Sequence, residues 1–302
     1  MWLGEGLAVL LGHPLLGHPA ADEKSTMSTV PAYKPAAQGP LEETLPQLKV
    51  VSAETIKSSV HSPSENIEIL RESLRSISDS LESASPQEVI AWGWENYGDS
   101  LTMGTAFGPE GMVIIHMLSE VAPHVHVFNL ETGYQFQETL DLRERVRERY
   151  GIDVELKRPE LTVQQYEAKH GGPLYKTNPH QCCADRKLAV LERGIEGKSA
   201  WISAIRRDQS PDRAQAPIVG WDKKFSLVKI NPLANWSKQD VWKMITDHDI
   251  PYNPLHDQGY TSIGCWPCTR SVLMGEDERA GRWSGTEKTE CGLHSLDPGD
   301  ES

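Results

Sequence analysis

The chain of 302 residues is long enough to bury a full hydrophobic core. Charged residues make up 24% and hydrophobic residues 38% of it, and the formal net charge is −13. This acidic balance argues against nucleic acid or an anionic membrane as the main partner. Five cysteines in so long a chain are not typical of a secreted disulfide scaffold, so we expect a reducing compartment, the cytoplasm.

Residues 1–60 are rich in Pro, Ala, Ser and Thr and lack sustained periodicity, which predicts a disordered N-terminal extension. Its apolar start differs from a signal peptide because it has no basic region, carries Glu5 and is interrupted by Pro14 and Pro19. The first arginine is Arg71, so an arginine-rich transit peptide is not indicated. An upstream start ahead of Met27 is the alternative explanation of this segment.

Two capped helices are predicted at the beginning of the folded domain, which we place at residues 61–302. Ser62 and Glu65 give the signal of a capping box, with Pro63 at the first helical position, and Ser85 and Glu88 repeat it. The first helix carries one apolar stripe with 3-4-3-4 spacing. The stripe consists of Ile67, Leu70, Leu74, Ile77 and Leu81.

Strands and helices alternate from about residue 100. This alternation predicts an α/β fold with a mostly parallel sheet and helices on both faces. The predicted strands are 100–107, 124–130, 152–157, 200–205 and 225–230, and the predicted helices are 109–121, 135–151, 182–194 and 237–249. Residues after about 252 form a loop-rich segment, with a mobile tail from about 270. Ligands of such sheets bind beyond the carboxyl ends of the strands, which makes the loops after the strands the candidate site.

Two of these loops carry residues suited to an anion. The glycines of GTAFGPEG (104–111) let the backbone approach a ligand at a helix N-terminus, although the loop lacks the Gly-Lys-Ser/Thr of a Walker motif. The loop 205–213 holds Arg206, Arg207 and Arg213. On spacing alone, an ordinary turn explains the first loop. For the second loop, a solvated turn with arginines paired to neighbouring aspartates and an anion site are equally favoured.

Four of the five cysteines form two close pairs, Cys182-Cys183 and Cys265-Trp-Pro-Cys268. The second pair has the knuckle spacing that lets two thiolates reach one metal. Four thiolates around one centre suit zinc or a 4Fe–4S cluster, and the spacing does not choose between them. Lys187 follows the first pair on the same predicted helix and would bring a positive charge to that centre.

The fifth cysteine, Cys291, lies in the polar segment KTECGLHS (288–295). The segment EDERAGRW (276–283) before it supplies Arg279 and Arg282. Taken singly, these residues are explained by a solvated charged face and an exposed tail cysteine. Together with a predicted anion site they favour anion binding beside a reactive thiolate.

These motifs together resemble those of the sulfonucleotide reductases, the assimilatory adenylyl-sulfate and phosphoadenylyl-sulfate reductase family. The resemblance runs from about residue 62 to His294. Its motifs are GTAFGPEGMV, LETGYQFQET, Cys-Cys-x-x-Arg-Lys at Cys182 to Lys187, Arg-Arg-Asp-Gln-Ser-Pro at 206–211, PYNPLHDQGYTSIGCWPCTR, ERAGRW and ECGLH.

The resemblance implies an adenine-nucleotide pyrophosphatase-like (Rossmann-like) fold and a role in sulfate assimilation and cysteine biosynthesis. The implied reaction is reduction of adenylyl sulfate to sulfite and AMP, through an S-sulfo intermediate on Cys291. Family members with both cysteine pairs hold a 4Fe–4S cluster and generally use adenylyl sulfate. The resemblance therefore implies such a cluster here, held by Cys182, Cys183, Cys265 and Cys268. Phosphoadenylyl sulfate, or both substrates, is the alternative. The implied substrate-binding residues are Lys187, Arg279, Arg282, Arg206, Arg207, Arg213, Thr105, Phe107, Gly108, Thr132 and His294.

No thioredoxin-like domain follows this segment in the sequence, so the resemblance implies an external thioredoxin or glutaredoxin as reductant. The sequence leaves open whether the chain forms a homo-oligomer. Two positions depart from the family pattern. This chain has Gly111 where the family usually has an acidic residue, and Ala204 where the family usually has glycine. An ATP-using adenylating enzyme would carry a Ser-Gly-Gly-x-Asp-Ser loop, which this sequence lacks. A zinc-bound regulatory module would explain the paired cysteines but not Cys291 or the arginines.

Overall fold

The computed structural model describes residues 63–283 and residue 288, so the predicted extension lies outside the described residues. The helices are α1 Pro63–Ser80, α2 Pro86–Tyr97, α3 Pro109–Val121, α4 Gln137–Tyr150, α5 Val163–His170, α6 Leu174–Thr177, α7 Pro179–Cys183, α8 Ala189–Gly194 and α9 Lys238–Asp247. The strands are β1 Leu101–Thr105, β2 His126–Leu130, β3 Glu155–Lys157, β4 Ala200–Ile202, β5 Val219–Asp222 and β6 Leu227–Ile230.

The six strands form one sheet in the order β3-β2-β1-β4-β6-β5. All neighbouring pairs are parallel except β5 and β6, which form an antiparallel hairpin at one edge. The chain proceeds outward from β1 through β2 to β3 and then returns to place β4 on the other side of β1. This reversal creates a switch point between β1 and β4, and it confirms the predicted α/β fold with a mostly parallel sheet.

Helix α3 is the centre of the hydrophobic core. Its sequence is apolar all round, and every residue from Gly111 to Leu118 is buried. It lies between α2 and α9 and also contacts α4, which explains why no polar face is needed. Among the described residues, no helix is both long and apolar enough to cross a membrane.

The two predicted N-terminal helices are present. Helix α2 begins with the predicted capping box, in which the Ser85 hydroxyl accepts from the Glu88 amide while the Glu88 carboxylate accepts from the Ser85 amide. The predicted stripe of α1 is buried except at Ile67, which is 41% exposed. Helix α1 packs on β5 through its C-terminal half, where the Ser78 hydroxyl accepts from the Ile218 amide at 3.0 Å.

Several short elements were not predicted. Strand β5 has four residues and includes Gly220, which is too short and too glycine-bearing for a clear alternating pattern. The region between β3 and β4 holds α5, α6 and α7, none longer than eight residues. The predicted helix over 182–194 is interrupted, because Ala184–Leu188 forms a π-helical turn between α7 and α8.

The C-terminal ends of α3, α4 and α9 meet around the fully buried His116. Its ring centroid lies 4.9 Å from that of His248 and 5.7 Å from that of Tyr150. Burial lowers the pKa of His116 below its usual 6.5, against the opposing effect of Glu120. The folded protein therefore keeps this imidazole neutral at pH values at which the unfolded chain binds a proton there.

Replacing His116 with phenylalanine is expected to reduce the acid sensitivity of the fold. A lowered folded-state pKa stabilises the protein above about pH 6.5, and that contribution is lost as the pH falls below this value. The urea midpoint should drop less between about pH 7.5 and 5.5 in His116→Phe than in the unaltered protein. His124→Phe, on an exposed side chain, is the control. An equal drop in all three proteins would contradict this assignment.

Candidate functional site

A cavity of about 460 Å³ lies at the carboxyl ends of the central strands. One wall comes from the ends of β1, β2 and β4, including Thr105, Leu130 and Ala204. The opposite wall comes from two loop segments, 260–265 and 278–283. The cavity thus occupies the switch point of the sheet, where the loops after the strands were predicted to form the site.

One part of the cavity is apolar. Leu130, Leu191 and Trp201 line it, and they belong to a small hydrophobic cluster on one face of the sheet. Gly104 lets the Phe128 ring of the same cluster approach β1, because a methyl group there would lie 3.3 Å from the ring. This part of the cavity can receive a flat apolar group such as an aromatic base.

A second part of the cavity is cationic. Lys187, Arg279 and Arg282 all line it, next to Cys265. The sequence separates Lys187 from the arginines by about ninety residues, and the fold brings them to one wall. Three cations here oppose the acidic balance of the whole chain, so this wall is suited to an anionic group.

Arg282 is held in a fixed orientation. Its guanidinium carbon lies 4.4 Å from the centroid of the Trp283 ring, and Nη1 donates to the Ser262 hydroxyl at 3.3 Å. Gly264 makes room for it, since a methyl group on Gly264 would lie 2.6 Å from Cζ of Arg282. Arg282 also shares a β-bridge with Thr269, which follows the second cysteine pair. Its position therefore depends on that pair's loop.

A smaller pocket beside the cationic wall gathers all four paired cysteines. Cys182, Cys183, Cys265 and Cys268 line it together, although about eighty residues separate the two pairs in the chain. Burial, together with the charges of the other three sulfur atoms, raises the pKa of Cys182 to about 12, against the opposing effect of Arg186. The four thiols therefore lie within electrostatic range of one another, as predicted for one shared centre.

The cysteine pocket adjoins the main cavity. Lys187, Thr132, Cys265 and Trp283 line both spaces. The Thr132 hydroxyl lies 3.3 Å from the sulfur of Cys265, and its oxygen accepts from the Tyr134 amide at 3.1 Å. A ligand in the cavity would consequently share walls with whatever the cysteines hold.

Arg186 supports this junction, and the sequence interpretation overlooked it. The side chain is buried, and Nε donates to the carbonyl of Thr132 at 2.6 Å. Its guanidinium carbon lies 5.3 Å and 5.0 Å from the ring centroids of Tyr134 and Tyr166. The signal was available, because Arg186 directly precedes Lys187 in the Cys-Cys-x-x-Arg-Lys motif.

The predicted arginine loop is only partly in the cavity. Arg213 lines it and donates to Gln209 Oε1 at 2.6 Å. Arg206 is not among the lining residues, since it is 1% exposed and its guanidinium binds Glu110 at 3.0 Å and Asp208 at 2.6 Å. Arg206 therefore positions the cavity residue Glu110 instead of facing the cavity itself.

Two further predicted contacts lie elsewhere. Arg207 points away from the cavity, with Nε donating to the carbonyl of Ala216 at 2.7 Å and Nη2 to Glu82 at 3.0 Å. Phe107 is 1% exposed and does not line the cavity, and its amide donates to the Thr105 hydroxyl at 3.0 Å. Thr105, Gly108 and Thr132 line the cavity as predicted.

Cys291 and His294 lie outside the described residues. The chain is described again at Lys288, three positions before Cys291. Lys288 is buried, and its Nζ lies 3.3 Å from His180 Nδ1 and 5.7 Å from the centroid of Trp283.

Known proteins are similar to this chain in sequence, and a solved structure is similar to it in fold. Adenosine 5′-phosphosulfate reductase 2 of Bacillus subtilis is 47% identical over 208 residues, 68% of this chain and 88% of that protein. Adenosine 5′-phosphosulfate reductase of Staphylococcus haemolyticus is 45% identical over 223 residues, 74% of this chain and 92% of that protein. The crystal structure of phosphoadenylyl-sulfate reductase from Candida auris, a phosphate complex, covers 71% of this chain and 100% of its own, with 30% identity and a TM-score of 0.59.

The family model described as the phosphoadenosine phosphosulfate reductase domain matches residues 100–271. The match begins just before β1 and extends past the second cysteine pair, so it includes most of both cavity walls. The family model covers more than half of the chain, and the alignments with relatives above 40% identity cover most of each relative's length. This chain therefore belongs to the phosphoadenosine phosphosulfate reductase domain family.

Proposed function

We propose that this protein reduces adenylyl sulfate to sulfite and AMP, using electrons from thiols. The observation that carries the proposal is the cationic wall of Lys187, Arg279 and Arg282 at one end of a nucleotide-sized cavity, beside the cysteine pocket. The relatives named adenosine 5′-phosphosulfate reductase favour adenylyl sulfate as the substrate.

The cavity suggests how the substrate is oriented. The adenine base fits the apolar part at Leu130, Leu191 and Trp201, and the phosphosulfate fits the cationic wall. Arginine forks bind oxyanions with two parallel hydrogen bonds, and their attraction increases as charge moves onto the departing phosphate. Arg279 and Arg282 would therefore stabilise the transition state more strongly than the bound substrate.

We propose Cys291 as the nucleophile. Its thiolate attacks the sulfur of the sulfate group, the bond from sulfur to the phosphate oxygen breaks, and AMP leaves with that electron pair. The enzyme then carries an S-sulfocysteine. An external thiolate attacks the Cys291 sulfur, sulfite departs with the bonding electrons, and a second thiol resolves the mixed disulfide. The two thiols supply the two electrons that reduce the sulfur.

We propose that the four paired cysteines hold a 4Fe–4S cluster. The donor set fits, since four cysteines line one pocket. Four cysteine thiolates also suit a zinc ion, and the family resemblance of the sequence favours the cluster. When bound, the cluster would supply a buried anionic group beside Lys187.

The reductant is proposed to be a separate protein of the thioredoxin or glutaredoxin type. The sequence has five cysteines, and the cluster and the nucleophile use all of them. We therefore expect two thiols of this separate protein to act in turn, one attacking the Cys291 sulfur and the other resolving the mixed disulfide.

The proposed function is tested by incubating the full chain, purified without oxygen, with adenylyl sulfate and reduced thioredoxin. Sulfite and AMP should appear in equal amounts over many turnovers. Phosphoadenylyl sulfate is the comparison substrate, and we expect a lower kcat/KM for it. Absence of sulfite from both substrates would refute the proposal, and a higher kcat/KM for phosphoadenylyl sulfate would reverse the substrate assignment.

Changing Gly264 to alanine is expected to reduce turnover without unfolding the protein. The added methyl group meets the far end of the Arg282 side chain, which can move aside more easily than backbone. Displacing this cation should lower kcat/KM by up to roughly 100-fold, the lower end of the loss expected when one transition-state donor is removed. The double variant Gly264→Ala/Arg282→Ala should be no slower than Arg282→Ala. Additive losses would show that Gly264 acts through something other than Arg282.

A further inference from the structure

An ion pair joins the helical core to the loop that carries the cavity arginines. Lys238 Nζ lies 3.5 Å from Glu278 Oε2, and both residues line the cavity. Lys238 is the first residue of α9, and the buried side of that helix belongs to the hydrophobic core. Glu278 directly precedes Arg279, one of the three cations of the cationic wall. Neither residue of the pair has a role in the proposed function.

The lysine end of this pair has a fixed backbone position. The amide of Lys238 donates to Asp208 Oδ2 at 3.1 Å, and Asp208 Oδ1 accepts from the Arg206 guanidinium at 2.6 Å. Arg206 is buried and also binds Glu110, in the first turn of α3. The N-terminal end of α9 is therefore tied to the loop after β4 and to α3.

The glutamate end belongs to a compact turn. The carbonyl of Glu278 accepts from the Thr261 hydroxyl at 2.5 Å, and the amide of Arg279 donates to Asp277 Oδ1 at 2.8 Å. The amide of Arg282 donates to the carbonyl of Arg279 at 2.8 Å. These partners all belong to the loop-rich C-terminal segment, whereas Lys238 belongs to a core helix. A shift of Glu278 would consequently be transmitted along the turn to both arginines.

We propose that Lys238 is a positioning residue, which holds Arg279 at the cationic wall through its ion pair with Glu278. This inference rests on the proposed function and adds to it a residue that acts without touching the substrate. An arginine binds an oxyanion with two hydrogen bonds only when its planar fork is correctly oriented, so a small displacement of Arg279 weakens the stabilisation of the transition state. The two side chains are 45% and 38% exposed, so the expected effect is modest.

Charge reversal separates this role from a direct contact between Lys238 and the substrate. Lys238→Glu makes the cavity more negative, whereas Glu278→Lys makes it more positive. If only the charge of the cavity mattered, the first change would weaken the reaction of an anionic substrate and the second would strengthen it. If the ion pair positions Arg279, each change replaces an attraction with a repulsion, and both weaken the reaction.

The test measures kcat/KM for adenylyl sulfate, using the full chain purified without oxygen and reduced thioredoxin. Lys238→Glu and Glu278→Lys should each lower kcat/KM at least roughly fivefold, the upper range for one exposed ion pair. The loss should appear mainly in kcat, because Arg279 acts mainly in the transition state. The double variant Lys238→Glu/Glu278→Lys restores the pair in reverse and should return to within about twofold of the unaltered protein.

The matched control is Lys243→Glu, which breaks the exposed ion pair with Asp247 on the same helix, away from the cavity. It should keep the full kcat/KM. The iron content of all variants should stay unchanged, and the urea midpoints of the Lys238 and Glu278 variants should fall no further than that of the control. A larger fall, together with an unaltered kcat, would show that the pair only stabilises the fold.

The outcomes distinguish this inference from the proposed function. A higher kcat/KM in Glu278→Lys, or a double variant as slow as the slower single variant, refutes the role of Lys238, while sulfite production by the unaltered protein upholds the proposed function. If charge reversal unfolds the protein, Glu278→Ala takes its place. It removes an acidic group from the cavity, so a lower kcat/KM supports the positioning role and an equal or higher value refutes it. If the unaltered protein makes no sulfite, the proposed function fails and the inference fails with it.

Discussion

Serine in place of Cys265 is expected to remove both the iron and the turnover of this protein. A neutral hydroxyl is a poor replacement for a thiolate ligand, and Cys265 also joins two walls of the site. It forms a β-bridge with Gln135, and the next amide, of Trp266, donates to the carbonyl of Tyr134 at 2.8 Å. Losing the metal-bound state should therefore loosen the loop that carries Arg282.

Iron and acid-labile sulfide per chain, visible absorbance and sulfite production measure this effect. Cys265→Ser should show little iron and no measurable turnover. Cys291→Ser is the matched control, because it also removes one thiol but should keep the full iron content. Zinc in a one-to-one ratio with full activity, or an unchanged iron content in Cys265→Ser, would contradict the cluster assignment.

The Cys291→Ser variant is expected to bind substrate but to complete no catalytic cycle. A serine hydroxyl is a far weaker nucleophile than a thiolate and has no lowered pKa to compensate. Turnover should fall to background, while the affinity for AMP should change less than threefold because the nucleotide cavity is intact.

The covalent intermediate can be detected directly. When the unaltered protein is mixed with adenylyl sulfate in the absence of thiol, its mass should rise by one sulfo group located on Cys291. Addition of thioredoxin should then release sulfite and restore the original mass. Cys291→Ser should show no such gain. Multiple turnovers by this variant, or a sulfo group on another residue, would eliminate Cys291 as the nucleophile.

The fold and the cysteine pocket could be predicted because their signals are local. The apolar run of α3 and the alternation of strands and helices determine the sheet, and two close cysteine pairs indicate one shared centre. The family resemblance rested on several motifs in a fixed order along the chain, and the family model and the relatives confirm it. Lys187, Arg279 and Arg282 could be named from motifs, and the structure places all three on one cavity wall.

The remaining errors concern properties that depend on packing. Nothing in the sequence distinguishes Arg213, which lines the cavity, from Arg206 and Arg207, whose charges are taken up by acidic neighbours.

The π-helical turn Ala184–Leu188 makes the length of this segment a constraint on evolution and design. Such a turn holds one residue more than an α-helical turn, and each residue of an α-helix rotates the chain by about 100°. The extra residue lets Cys183 face the cysteine pocket while Val190 faces the core. A one-residue deletion between them would turn one of these side chains away from its partners. A change of length in this turn should therefore be more damaging than a conservative substitution at Ala184 or Leu188.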